Sequence, residues 1–467
     1  MNIKTIKITS ISILQPNART LFSHIQHLPW AMLLDTCNSL LISERYDILV
    51  YQPIATYEFK NGKGQFKGRD DSFDFSELDL APDPFEALAN LQQYFADHTQ
   101  LEIPSDLPFI LGTMGAFGYD INTLTDGIED PNPNEYLMPD IAVGLYANSL
   151  IVDKQKGIVY HCSVENIQPD WLEPFLHKQK VPNQGFHLTS DWHSNMSKSD
   201  YVAKFNKIQD YLKAGDCYQV NLAQRFSAEY AGSEWQAYQQ LSEANQAPFS
   251  AFCRFENTCV LSLSPERFLQ LKNGQVVTKP IKGTRKRDSD PKKDAALAEE
   301  LFNAEKDRAE NLMIVDLLRN DLSKHCQPFS VKVPKLFHIE SYPAVHHLVS
   351  TVEGKIRENT HTYTLLKGAF PGGSITGAPK VRAMQIIREL EPNKRSIYCG
   401  SIGYVGIQND MDTSICIRTL LAENQRLYCW AGGGIVLDSE GEDEFQETLH
   451  KVAKILPVLK ENTSDGI

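Results

Sequence analysis

The sequence has no cysteine pair at Cys-x-x-Cys spacing and no cysteine–histidine cluster with zinc spacing. Nine cysteines, an odd number, are scattered along 467 residues. That pattern argues against a disulfide framework and predicts reduced, mostly buried thiols in a cytoplasmic protein. Positive charge is in deficit, with 46 Lys and Arg against 59 Asp and Glu. Nucleic acid and anionic membrane are therefore poor candidates as partners, and any bound anion must be met by cations placed locally. No apolar run reaches the roughly 18 residues that span a bilayer. The first apolar run is broken by Thr and Ser and stops at Pro16, which does not read as a secretory signal. Internal repeats and low-complexity tracts are missing too. Gly112-x-x-Gly115-x-x-Gly118 is not the dinucleotide fingerprint, and Gly377 is followed by Ala378, so there is no P-loop.

What remains is ordinary globular composition, 42% hydrophobic and 22% charged. Strands are expected at Trp30–Thr36, Tyr46–Pro53, Tyr218–Phe226, Ala251–Phe255 and Thr258–Leu263. Helices are expected at Asp83–Phe95, with Pro84 in the first turn, and at Ser197–Leu212, closed by Gly215. Helices and strands do not alternate strictly. The predicted fold is therefore α+β, a two-layer antiparallel β-sandwich with flanking helices. Residues 1–160 form a predicted N-terminal region, 161–196 a linker and 197–460 a catalytic region.

Lys282 follows a short β-type run and precedes Gly283, Thr284 and the cations Arg285, Lys286 and Arg287. Neighbouring positive charge disfavours an ammonium, and a neutral amine is a nucleophile. Gly283 allows close backbone approach to a ligand. The plainer reading is a basic surface turn. Glu266 lies 16 residues earlier and would supply a carboxylic acid beside that amine. A single helix is expected from about Asp294 to Leu318, apolar all round from Leu312, which leaves Glu310 entering a buried segment. Such an acid needs a cation, a metal or a proton. A last helix, Glu442 to Leu459, carries Glu444, Glu447 and Lys451 on a stripe apart from its apolar one. Glu447 and Lys451 are either a surface ion pair or part of a cleft, where the acids with Glu310 suit Mg²⁺. Gly432, Gly433 and Gly434 follow a predicted strand and would expose N–H groups to an anion. A second glycine-rich loop, Phe370–Lys380, opens a helix whose N-terminus could hold a carboxylate. Arg418, in an otherwise apolar strand, needs an anion.

Together these pieces resemble the chorismate-utilising enzymes. The motifs are SPERF (264–268), PIKGTR (280–285), AENLMIVDLLRND (309–321), HLVSTV (347–352), GSITGAPKVRAMQ (373–385), YCGSIGYVG (398–406), DTSICIRT (412–419) and AGGGIVLDSEGEDEFQET (431–448). Anthranilate synthase component I typically reads PIAGT where this chain reads PIKGT. The lysine is typical of the branch that makes aminodeoxychorismate. The resemblance implies that Lys282 attacks the chorismate ring two bonds from the 4-position while Glu266 helps the 4-hydroxyl leave. Ammonia then adds at the 4-position and expels the lysine, giving 4-amino-4-deoxychorismate, a precursor of 4-aminobenzoate and folate.

The same resemblance maps Mg²⁺ ligands to Glu310, Glu447 and Glu444. It maps substrate contacts to Gly283, Thr284, His347, Tyr398, Arg418, Gly432, Gly433, Gly434 and Lys451. Gln219 stands where water-adding relatives carry a lysine, which argues against water as the nucleophile. Many relatives bind tryptophan, and the matching stretches hold Thr36, Ser43, Glu44, Arg45, Tyr46, Pro248, Phe249 and Ser250. No Gly-x-Cys-x-Gly nucleophile elbow or glutaminase triad can be assembled, so ammonia is expected from a separate glutamine amidotransferase subunit. The competing readings are an anthranilate synthase component I, a non-catalytic sensor of tryptophan or chorismate, and a Schiff-base enzyme built on Lys282.

Overall fold

Long runs of apolar and β-branched residues build two large antiparallel sheets. The computed structural model describes residues 3–13, 16–37, 45–70, 73–128, 132–164, 185–342 and 345–460. Among the described residues one sheet has fourteen strands and the other eleven. The pairing is antiparallel throughout except where Lys4–Ile11 meets Thr99–Leu101. Leu269, Ile402 and Met411 of the smaller sheet pack with Ala251, Val260 and Trp430 of the larger, so the main core lies between the layers. The strand Ile141–Tyr146 is buried along its whole length, as a strand covered on both faces must be. Gly115, on the neighbouring strand Gly112–Phe117, is obligatory, because a Cβ would sit 2.1 Å from the Ala142 carbonyl oxygen. All nine cysteines are buried and unpaired, and among the described residues no helix is long and apolar enough to cross a membrane.

The two ends of the chain share both sheets. Met32–Asp35 pairs with Phe249–Arg254 in one, and Gly112–Phe117 with Ser401–Gly406 in the other. Residues 165–184 of the expected linker lie outside the described residues. Its flanks are structured: 161–164 finish the strand Ile158–Val164, and Phe186–Leu188 and His193–Ser194 pair with Gln219–Gly232.

The expected helix starts hold. Asp83 accepts the N–H groups of Phe85 and Glu86, and Ser197 forms a capping box with Asp200. Gly215 closes the second helix at φ 79°. Two expected continuous helices are in fact broken. The first divides into Pro291–Asn303 and Glu305–Ser323, with Ala304 extended between them. The break turns the second half, so Ile314, Val315 and Leu318 are buried while Leu312 is 45% exposed; the segment is not apolar-buried all round. The last helix ends at Val452, and Leu456–Lys460 is separate. Pro457 explains this, since its ring would clash with the carbonyl four residues back in a continuous helix.

Candidate active site

A cavity of about 750 Å³ is lined by Glu266, Lys282, Thr284, Glu310, His347, Tyr398, Arg418, Glu444, Glu447 and Lys451. Gly283, Gly432 and Gly434 line it as well. Residues far apart in sequence are therefore brought to one place.

Lys282 is held by a bulge. In the pairing of Ile281–Lys286 with Val345–Lys355, Ile281 faces Val349 but Thr284 faces His347, which leaves one extra residue on the lysine strand. Gly283 takes φ 76°, and a Cβ there would meet Asp307 and Leu301 at 2.8 Å. Its bareness thus admits the adjoining helices as much as any ligand. Two of the three cations after Lys282 have acidic partners of their own. Arg285 is engaged by Glu300 and Asp307 and Arg287 by Asp294, while the amine of Lys282 lies 3.7 Å from Glu310 Oε2. An acid, not a cation, is its charged neighbour.

Glu266 occupies the turn that passes from the strand Cys259–Ser264 in one sheet to Arg267–Lys272 in the other. Its N–H donates to Ser264 Oγ at 3.2 Å and its carbonyl accepts from Ile415 N–H at 3.0 Å. Burial pushes its carboxyl up to about 7, against the pull of a Ser374 hydrogen bond and the Lys282 charge. Glu266 is thus a carboxyl poised to hold and give up a proton near neutrality. His347 is 4% exposed, and burial lowers it to about 4, so its imidazole is neutral; Nδ1 meets Thr284 Oγ1 at 2.9 Å.

Arg418 is not in a strand. It sits between Met411–Ile415 and Thr419–Glu423 at φ 52°, where its side chain meets the cavity. Burial lowers its guanidinium, and no carboxylate balances it among the described residues. That is an anion site in waiting. Tyr398 stacks on Trp430 with centroids 6.1 Å apart.

The three glycines are not a loop after a strand; they lie within Arg426–Ile435, where Gly432, Gly433 and Gly434 pair with Ala223, Leu222 and Asn221 in turn. What they provide is room. A Cβ on Gly433 would lie 2.8 Å from Glu444 Oε2 and 3.3 Å from Glu447 Oε1. Lys451 reaches back to Glu447 at 2.6 Å and to the Gly432 carbonyl at 2.8 Å. Glu444 Oε1 accepts from Ser439 at 2.7 Å, whereas Oε2 is buried with no partner among the described residues. Burial, then the charge of Glu447, pushes Glu444 upward. Among the described residues no three acids, histidines or cysteines close around an ion. The donor chemistry still fits a hard divalent cation: carboxylate oxygens, one of them unsatisfied, on two helices facing one cavity.

The second glycine-rich loop reaches the cavity through Ser374 and Ile375, but no residue of its helix, Lys380–Leu390, lines it. At that helix start the Lys380 side chain turns to Asp321, at 2.6 Å. Ser374, Asn221, Lys306 and Trp430 line the cavity without having been singled out. Ser374 stands in a glycine-rich stretch that reads as a plain turn. Gln219 is fully buried, with both amide atoms unpartnered among the described residues.

A second cavity, about 210 Å³, is lined by Thr36, Tyr46, Pro248, Phe249 and Ser250, together with Arg267 and Asp412. Arg45 is drawn to Asp153 and stacks on Tyr46. Ser43 and Glu44 lie outside the described residues.

Residues 43–457 match the family model of the chorismate binding enzymes. Aminodeoxychorismate synthase component 1 of Escherichia coli (strain K12) is 48% identical over 464 residues, covering 98% of this chain and all of that one. The Klebsiella aerogenes protein of the same name is 49% identical over 444 residues, 94% of this chain and 96% of its own. Anthranilate synthase component I from Streptococcus pneumoniae superposes with a TM-score of 0.76 at 31% identity, covering 88% of this chain and 92% of that one. With its two sheets, its acid–lysine cavity and these relatives, the chain belongs to the chorismate binding enzyme family.

Proposed function

We propose that this chain aminates chorismate to 4-amino-4-deoxychorismate, with a covalent adduct on Lys282 and with ammonia supplied by a separate glutamine amidotransferase subunit. The observation that carries the reading is the pair Glu266 and Lys282 in one cavity, the acid held as a proton donor near neutrality.

The amine of Lys282 attacks the ring two bonds from the 4-position. Both conjugated double bonds of the ring shift, the bond to the 4-hydroxyl breaks, and the Glu266 proton leaves with it as water. Ammonia then forms a bond at the 4-position as the lysine nitrogen is released, and the net change is hydroxyl for amine. Arg418, with no balancing carboxylate among the described residues, offers its charge to a substrate carboxylate, and Thr284, Tyr398 and the glycine strand shape the pocket. Glu310, Glu447 and Glu444 would hold Mg²⁺, which when bound offsets the charge of a substrate carboxylate. Gln219 is a buried amide and cannot itself serve as a base toward water, which supports ammonia as the nucleophile. The second cavity is a site for an aromatic amino acid such as tryptophan, on the strength of its apolar walls and its Arg267–Asp412 pair.

Purified chain with chorismate, Mg²⁺ and ammonium should form 4-amino-4-deoxychorismate and no anthranilate or pyruvate. Adding a glutamine amidotransferase partner should let glutamine replace ammonium. Anthranilate plus pyruvate would make it an anthranilate synthase component, and no turnover with either nitrogen source would favour a sensor.

A further inference from the structure

We infer that Ser374 is a positioning residue of the active site, whose hydroxyl fixes the Glu266 carboxyl and selects the oxygen that carries the proton. The inference rests on the reading of Glu266 as general acid.

The backbone of Glu266 is pinned, but its side chain has three torsions and swings unless something holds the far end. Charged groups face it from two elements: Lys282 on Ile281–Lys286 and Lys451 on Gly441–Val452. Long flexible ammonium groups attract a carboxylate without fixing its plane. The Ile281 N–H also pulls on it, and the Cys399 thiol lies within electrostatic reach. Ser374 differs from the lysines in being short and anchored. It is 9% exposed, on the single turn Gly373–Ile375, and its Oγ donates to Glu266 Oε1 at 2.8 Å.

The turn itself is held on both sides. Thr376 Oγ1 donates to the carbonyls of Gly372 and Gly373 at 3.1 and 3.3 Å, and buried Arg395 donates to the Ile375 carbonyl at 3.1 Å. Because Oε1 accepts from Ser374, the proton of the neutral acid sits on Oε2. As that proton leaves, the serine bond becomes charge-assisted and strengthens. Ser374 thus acts through Glu266 and favours the state in which its proton has been given away.

The test compares Ser374→Ala and Ser374→Thr with the parent. Two readouts are needed: steady-state kinetics with ammonium, and an infrared titration of the Glu266 carboxyl band in the unliganded protein, identified by its loss in Glu266→Gln. Ser374→Ala should lower kcat about 10- to 100-fold, the worth of one hydrogen bond to a charged group, with KM for chorismate within about twofold. Its Glu266 midpoint should move up, since the lost bond favoured the ionised form. Ser374→Thr, which keeps the hydroxyl, should restore both. Ser374→Cys, similar in size, replaces the alanine variant if that does not fold. An unmoved midpoint, an unchanged kcat, or a loss carried by KM would overturn the inference. If the parent makes no aminodeoxychorismate, the proposed reaction fails on its own, and the midpoint still reports on the serine.

Discussion

Lys282 and Glu310 meet inside the cavity at 3.7 Å, the lysine from a strand bulge and the acid from the helix Glu305–Ser323. That distance is too long for a hydrogen bond, so the amine is steered by charge and remains free to leave its partner. Lys282→Ala should lower aminodeoxychorismate formation by about 10²–10⁴-fold, the range expected when one group of the reaction is removed. Intact mass measurement offers a second check. Parent protein given chorismate without ammonia should gain one chorismate less one water, and the variant should gain nothing.

The raised carboxyl of Glu266 makes stability depend on pH. Its folded value of about 7 lies above the ordinary 4.5, so the folded state binds the extra proton between those limits. This stabilisation is complete below about 4.5 and is lost as pH rises through about 7. Glu266→Gln removes the dependence. Urea unfolding should show the variant gaining on the parent by roughly 2–3 kcal/mol between pH 4 and pH 8, while activity is lost. Parallel pH profiles for the two proteins would contradict it.

Gly433→Ala would place a methyl group against the Glu444–Glu447 pair. Neighbouring Gly432 and Ala431 keep their pairing with the opposite strand, so the fold should survive. The affinity for Mg²⁺ should fall by about 10–100-fold, as when a metal site's supporting geometry is disturbed. Calorimetric titration of Mg²⁺ into parent and variant, in the presence of chorismate, reads this directly.

Among the described residues no carboxylate balances the buried charge of Arg418, and an unpaired desolvated charge costs stability. Arg418→Met should therefore raise the melting temperature by a few degrees and raise KM for chorismate at least about tenfold. A variant that is both less stable and unchanged in KM would mean the guanidinium serves the fold instead.

Much of this was legible in the sequence because it depends on local rules. The caps at Asp83 and Ser197 and the αL close at Gly215 follow from side-chain chemistry within a few residues. The site residues were legible as motifs. What was not legible depends on the third dimension. Whether Arg285 faces Lys282 or Glu300 is decided by helices that pack later in the chain. The break at Ala304 has no proline or glycine to announce it, whereas the one before Pro457 could have been read. Three successive glycines read as a loop, because a strand that gives up three side chains makes sense only once Glu444 and Glu447 are seen over Gly433, Ala223 against Gly432 and the Gln219 side chain against Gly434. Ser374 was hidden for a similar reason: nothing local tells a serine beside an acid from one in a turn.

The sharing of both sheets by the two ends of the chain has a consequence for how the molecule is made. During synthesis, Met32–Asp35 and Gly112–Phe117 emerge long before Phe249–Arg254 and Ser401–Gly406, the strands they pair with. These early strands must wait with open sheet edges until the second half of the chain arrives, an arrangement that makes folding slow and exposes it to aggregation. The same arrangement means that two fragments, cut between residues 164 and 185 and produced together, hold complementary edges and should reassemble into one active enzyme without a peptide bond between them.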